Sequence, residues 1–217
     1  MKNLQPSASR AFIRQGSGLC LNLLNPSPDA WTDEDLAIGL SRTFRWGAHS
    51  VWPSRPLTVA QHCLTVAVLA ARSDSVLSDA QMLREIHHDS EESLLGGIDF
   101  LTPLKPYLGP GFQELTSKLK AAVFLRYALP AWTRTEHQAH KRADVLAAAS
   151  EAVHVAGWGL SEVRDILEID VTPLLVDPLA AIYGGNPWEP WPAELAAARF
   201  LRAIQHKPER DRLRPKA

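Results

Sequence analysis

Residues 57–72, LTVAQHCLTVAVLAAR, decide the fold. Apolar side chains run round almost every face of the helix this stretch would form, the pattern of a rod at the centre of a bundle. One narrow polar stripe interrupts it: Thr58, His62 and Thr65, at i, i+4 and i+7. Upstream, WTDEDLAIGLSRTF (31–44) reads as a helix that Thr32 or Asp33 can cap, with acidic residues in the turn where the helix dipole favours them. The stretch RWGAHSVWPSRP that follows it is a loop. Downstream, residues 78–95 open at Ser78-Asp79, place Leu83, Ile86, Ser90 and Leu94 on one face, and stop at Gly96-Gly97. A further helix is expected over 111–128, ended by Pro130. Thr133 or Thr135 caps the next, which runs to about Ala156 with Ala139, Ala143, Leu146 and Val153 as its apolar face. Gly157 and Gly159 end it, Ser161 starts a short successor, and a last helix covers 192–206. No segment alternates with a strand period for long. The class is all-α, a single-domain helical bundle.

Three segments follow: an irregular one over 1–30, the domain over 31–206, and a polar tail, KPERDRLRPKA, over 207–217. The tail, with Arg210, Arg212, Arg214 and Lys216, reads as solvated. A chain of 217 residues suits one hydrophobic core. With 46% hydrophobic residues it is not disordered, and 23 basic against 24 acidic side chains give no footprint for a nucleic-acid polymer. No apolar run is long enough to cross a bilayer, and the N-terminus lacks the apolar core of a secretory signal. Cys20 and Cys63 form no framework spacing, so a cytoplasmic location is expected. Cys63 reads as packing. Trp132, Trp158, Trp188 and Trp191 lie near helix ends, where they close the core or form a homo-oligomer contact.

Three helices each bring polar groups to a face expected to turn inward. The second supplies His62; the third supplies His88, Asp89 and Glu92, crowded by i+4 and i+3 spacing; the fifth supplies Asp144, flanked by His140 and Lys141. A lone histidine in an apolar helix is ordinarily a core residue, and Lys141–Asp144 alone could be a surface ion pair. Jointly, two imidazoles and two carboxylates form a mixed nitrogen and oxygen set suited to one divalent ion (Mn, Co, Fe, Mg or Zn). Such an ion would offset the several kcal/mol that burying these groups unpaired costs. Glu92 is then placed to handle the proton of a water or of a leaving oxygen.

The order H…HD…D on consecutive bundle helices resembles the HD-domain metal-dependent phosphohydrolases. LTVAQHCLTVA around His62, HHDSEESLLGG…TPLK, HKRADVLAAASEA and the upstream DLAIGLSRTFRW are similar, in order, to four family segments. They cover roughly residues 18–156 and point to the small nucleotide phosphohydrolases: bacterial 5'-deoxynucleotidases of the YfbR type and phage deoxynucleoside triphosphate triphosphohydrolases. The resemblance implies His62, His88, Asp89 and Asp144 as metal ligands, with Glu92 and Asp89 at the attacking water. It implies Arg45 on phosphate, Trp46 against the nucleoside, and Lys105 near the phosphate. Bidentate phosphate binding suits a guanidinium and stacking suits an indole, although Trp46 also suits a core and Lys105 a solvated loop.

Three departures from the family follow. Gly97 stands where the family has an aspartate, so Asp99 is the candidate substitute. The loop between Arg45 and His62 is longer and carries His49, Trp52 and Arg55, which could reshape the substrate mouth. His87 precedes the motif histidine and would point about 100° away from it on a helix.

The expected activity is hydrolysis of a nucleotide, a small-molecule partner. With no basic run in the sequence, a 5'-nucleotidase releasing orthophosphate from a monophosphate leads, and a triphosphohydrolase releasing tripolyphosphate is the alternative. Hydrolysis of the guanosine tetraphosphate alarmone ranks lower, because Glu91-Glu92 is followed by Ser93 where those enzymes carry an E-D pair. A scaffold that binds a nucleotide without turning it over is the non-enzymatic alternative.

Overall fold

The structure is a computed structural model that describes residues 10–72 and 76–215. Ten α-helices dominate these residues: α1 (Asp33–Arg42), α2 (Val59–Ala71), α3 (Asp79–Ile86), α4 (Ser90–Leu94), α5 (Gly109–Arg126), α6 (Arg134–His154), α7 (Leu160–Asp165), α8 (Ala180–Tyr183), α9 (Ala193–Gln205) and α10 (Lys207–Asp211). The fold is accordingly all-α in its mass, and no helix among the described residues is long and apolar enough to cross a membrane.

The central rod is α2. Every residue from Val59 to Ala71 is buried, and α1, α3, α6 and α9 pack around it. Thr58 serves as its cap, accepting a hydrogen bond from the Gln61 amide. Thr32, Ser78 and Thr133 close capping boxes at α1, α3 and α6, so the local chemistry read from the sequence starts these helices where expected. At one crossing the backbones come very close. A Cβ built on Gly39 of α1 would lie 1.9 Å from Ser93 Oγ of α4.

Several boundaries differ from expectation. Residues 78–95 are two helices, because the chain breaks at 87–89. In a continuous helix the Glu85 carbonyl would accept from the Asp89 amide. Instead it accepts from His88 Nδ1 at 2.8 Å, while His87 Nδ1 meets Ser90 Oγ at 2.9 Å, so two side chains take over the ladder's groups. The inward face of α6 is also rotated. Of the four apolar residues expected there only Ala143 is fully buried; the stripe against α2 is His140, Ala143, Ala147, Ser150 and Glu151. Small side chains let α6 approach closely and bring its polar residues inside.

Among the described residues, neither 10–30 nor 207–215 is the loose segment expected. Phe12–Arg14 (β1) and Cys20–Asn22 (β2) form an antiparallel hairpin, with Ile13 opposite Leu21, and Leu21 is fully buried in the main core. The Ser17 amide donates to Asp35 at 2.9 Å and ties the hairpin turn to α1. The expected solvated tail is also packed. Leu213 is fully buried, Arg210 is buried, and Arg214 donates to the Leu77 carbonyl. Lys216 lies outside the described residues. A helical turn from Arg210 to Leu213 puts both on one face, which a reading by charge alone conceals.

Candidate metal centre

Four side chains from three segments converge against α2. His62 Nε2 lies 3.4 Å from Asp144 Oδ1 and 3.8 Å from Asp89 Oδ2; His88 Nε2 lies 3.1 Å from Asp89 Oδ2. Ligand atoms of His62, His88 and Asp144 all fall within 4.8 Å of one another. The break at 87–89 is what delivers two of them. It turns His88 inward beside Asp89 and sends His87 elsewhere, stacked on Tyr127 with ring centres 3.9 Å apart. Burial in that apolar place holds the His87 imidazole down at about 3, hence neutral. The two adjacent histidines are indeed not interchangeable.

The far nitrogen of each inward histidine is fixed. His62 Nδ1 meets Glu151 Oε1 at 2.7 Å, and His88 Nδ1 meets the Glu85 carbonyl at 2.8 Å. Donation from Nδ1 leaves the Nε2 lone pair facing the cluster, the tautomer a metal ligand needs. Both Nε2 atoms are buried without a well-formed hydrogen bond, and each faces a carboxylate oxygen, Asp144 for His62 and Asp89 for His88. That arrangement, imidazole nitrogens facing carboxylate oxygens across a small gap, is one a shared cation would fit.

Charge in the cluster is tightly coupled. Burial and the Arg45 charge oppose protonation of His62, but Glu151 and hydrogen bonds to Asp144 and Glu151 outweigh them and push it up to about 9. Against burial, contacts with His62 and His88 hold Asp144 far below the usual carboxylate range. A cation therefore competes with a proton at His62.

Glu92 lies on α4 beside this set. The helical spacing expected to align it with His88 and Asp89 does not exist across the break, yet ligand atoms of Asp89, Glu91 and Glu92 still group within 4.8 Å. Burial, with the charges of Asp89 and Asp99, pushes Glu92 up to about 9. Its Oε1 accepts from Lys105 Nζ at 3.2 Å, and its Oε2 is buried with no partner. Lys105 is thus half-buried at the site rather than a solvated loop residue.

Arg45 is gripped on two sides, donating from Nε to Glu151 Oε2 at 2.9 Å and from Nη1 to Asp99 Oδ2 at 3.4 Å. Asp99, the candidate substitute for the aspartate absent at Gly97, thus lies against Arg45. Arg45, Asp99 and Trp46 border a cavity of about 390 Å³ whose other walls include Leu101, Pro103 and Ile169. Trp46 does two jobs, lining this cavity and packing on the small cores around Val155 and Val163. Its backbone is strained, with φ at 57°. His49, Trp52 and Arg55 do not line this cavity. Trp52 donates to the His154 carbonyl and Arg55 pairs with Glu189, so the longer loop braces the C-terminal half instead. Cys63 is buried packing, its thiol pushed up by burial.

Glu151 and Glu85 were not singled out in the sequence, and they organise the site. Glu151 lies seven residues after Asp144, two turns on along the same face, a spacing that could have flagged it. Glu85 serves twice: its carbonyl holds His88, and its carboxylate accepts from His140 Nδ1 at 2.8 Å. The result is a continuous row. Trp132 tilts on His140 (4.7 Å between ring centres), His140 on His88 (4.9 Å), and His88 on His62 (5.3 Å); Glu151 then leads to Arg45.

No family model matches the chain. Over 172 residues, 79% of this chain and 86% of the other, it is 37% identical to an uncharacterized protein of Rhodobacter capsulatus, and the chain belongs to the same family as that protein.

Proposed function

We propose that this chain is a metal-dependent phosphohydrolase of nucleoside phosphates, with a helical bundle of the HD-domain type. One observation carries the reading: two buried imidazole Nε2 atoms, each with its Nδ1 held from behind, face the carboxylates of Asp144 and Asp89 without a well-formed hydrogen bond. His62, His88, Asp89 and Asp144 would hold one divalent ion, which supplies Lewis acidity toward a phosphoryl group and makes water more acidic.

The chain's own residues supply the rest. Arg45, braced by Glu151 and Asp99, offers its remaining N–H groups to phosphoryl oxygens without having to be ordered at the moment of reaction. Glu92 would take the proton of the attacking water; burial and the Asp89 and Asp99 charges oppose the carboxylate form this requires, and Lys105 together with the positive charge of a bound ion would favour it. As the new O–P bond forms and the ester P–O bond breaks, that proton passes to the leaving alcohol oxygen. The apolar walls beside Trp46 receive the nucleoside.

The test is direct. Protein loaded with Mn or Co should release an inorganic product from a panel of nucleoside mono- and triphosphates, identified by ion chromatography. The His88→Ala/Asp89→Ala variant should release none. If the loaded parent protein also releases none, the enzyme reading falls and a non-catalytic nucleotide-binding module takes its place.

A further inference from the structure

A pocket of about 160 Å³ lies between α8 and α9, bordered by none of the residues of the cluster or of the Arg45 cavity. Arg55, Tyr183, Asn186, Glu189, Trp191 and Arg199 surround it. Arg199, on α9, is set in a corner of two aromatic rings. Its Cζ lies 4.1 Å from the centre of the Trp191 ring and 4.5 Å from that of Tyr183, and the rings stand at 81° to each other.

The corner orders this guanidinium without neutralising it. Its hydrogen bonding among the described residues is one long contact, from Nη2 to the Tyr183 carbonyl at 3.5 Å, and no carboxylate pairs with it. Every other described arginine that lacks an ion pair is exposed, whereas Arg199 is half-buried. Burial and the charge of Arg212 hold its pKa below the ordinary guanidinium value, with Tyr183 opposing them. The carboxylate nearest to hand is already committed: Glu189 accepts from Arg55 Nη1 on one oxygen and from Asn186 Nδ2 at 2.8 Å on the other. Two guanidinium groups therefore border the pocket against one carboxylate, and Arg55 keeps most of its N–H fork for a further acceptor.

The rest of the wall is apolar and fixed in advance. Pro190, Pro192 and Leu195 complete it. Gln61 of α2 grips the turn that carries it, donating from Nε2 to the Glu189 carbonyl at 3.3 Å and accepting from the Trp191 amide at 2.8 Å. A ligand entering here would not have to order the loop, so little affinity is lost to that step.

We infer that this pocket binds a small organic carboxylate, with its oxygens on Arg199 and Arg55 and its carbon body against Trp191 and Leu195. The planar guanidinium fork matches a carboxylate, the single excess positive charge matches a monoanion, and the apolar walls suit carbon better than the hydrated surface of phosphate. The inference stands apart from the phosphohydrolase reading, since it uses no residue of that site.

Benzoate is the fitting probe, because an apolar cavity of about 150 Å³ can hold a benzene ring. The experiment is calorimetric titration of the full chain with benzoate, with benzyl alcohol as its neutral counterpart, and with orthophosphate. Benzoate should saturate one site and bind about tenfold or more tightly than either of the others. Arg199→Gln should weaken benzoate about tenfold or more, while Arg164→Gln, at an exposed arginine paired with Asp165, should leave it unchanged. If Arg199→Gln fails to fold, Arg55→Gln, at a half-exposed side chain, should weaken benzoate as well. Equal binding of benzyl alcohol and benzoate would reduce the pocket to an apolar hole, and tighter binding of orthophosphate would assign it to a mineral oxyanion; either overturns the inference. So does a lack of benzoate binding, or an affinity that survives the loss of these arginines.

Discussion

Two regions of this molecule bury charge, and they treat it in opposite ways. Near the C-terminus, Arg210 has all three guanidinium nitrogens satisfied: Nε and Nη2 donate to the two oxygens of Asp79 at 2.9 Å each, and Nη1 donates to the carbonyls of Ala203 and Ile204. At the centre, His62 Nε2 and His88 Nε2 face carboxylates without a well-formed hydrogen bond, and Glu92 Oε2 has no hydrogen-bond partner among the described residues. At Arg210 burial is completed from within the chain, and each unmade hydrogen bond there would cost about 1–3 kcal/mol. Groups left bare while their far sides are carefully held are set for something the chain does not itself contain.

The largest effect should come from supplying that missing partner. With a divalent ion at about a thousand times its dissociation constant, the protein should gain about 4 kcal/mol of stability. Calorimetric melting before and after chelation reads this gain, and the His88→Ala/Asp89→Ala variant should show none. The gain should grow as pH rises toward about 9, since His62 must release its proton to bind. A gain independent of pH would break the contrast.

Glu151→Gln should act next most strongly. It keeps the shape but weakens the hold on His62 and Arg45, so metal affinity should fall about 10–100-fold. Metal titration followed by kinetics should also show a raised KM, as Arg45 loosens. In the other region, Arg210→Met should cost about 2 kcal/mol in urea unfolding, within the range for lost hydrogen bonds to a charged group, and leave metal content unchanged.

The smallest effect is that of pH on Asp79. Hydrogen bonds from Arg210 hold its carboxyl below the ordinary value of 3.8. A depressed folded-state pKa gives stability that is present above the unfolded value and lost as pH falls through the folded one. The advantage of the parent over Asp79→Asn should thus be complete above about pH 5 and vanish in strong acid. Asp79 is 40% exposed, so screening limits it to under about 1 kcal/mol. Paired urea titrations across that range would measure it.

Much of this was legible in the sequence, for local reasons. The caps at Thr32, Ser78 and Thr133 and the all-round apolarity of α2 act over a few residues, so they can be read without tertiary information. The convergence of His62, His88, Asp89 and Asp144 was also anticipated, although the helical spacing offered for Glu92 was not the cause. What escaped was decided by side chains competing with backbone or meeting across the fold. His88 taking the Glu85 carbonyl breaks a helix that periodicity makes continuous. Arg210 finding Asp79 across 131 residues turns a polar tail into part of the core. Glu151 carries no mark in isolation, because its role exists only when α6 lies on α2.

The near-contact of Gly39 with Ser93 has a consequence beyond packing. Ser93 directly follows Glu92, so one methyl group added on α1 would act as a wedge under the segment carrying that carboxylate. Overpacking of this kind costs about 1–3 kcal/mol where it can be relieved, and relief here means shifting α4. Gly39→Ala should therefore disturb Glu92 and, through the α4 cap, Asp89, from a position outside the cluster.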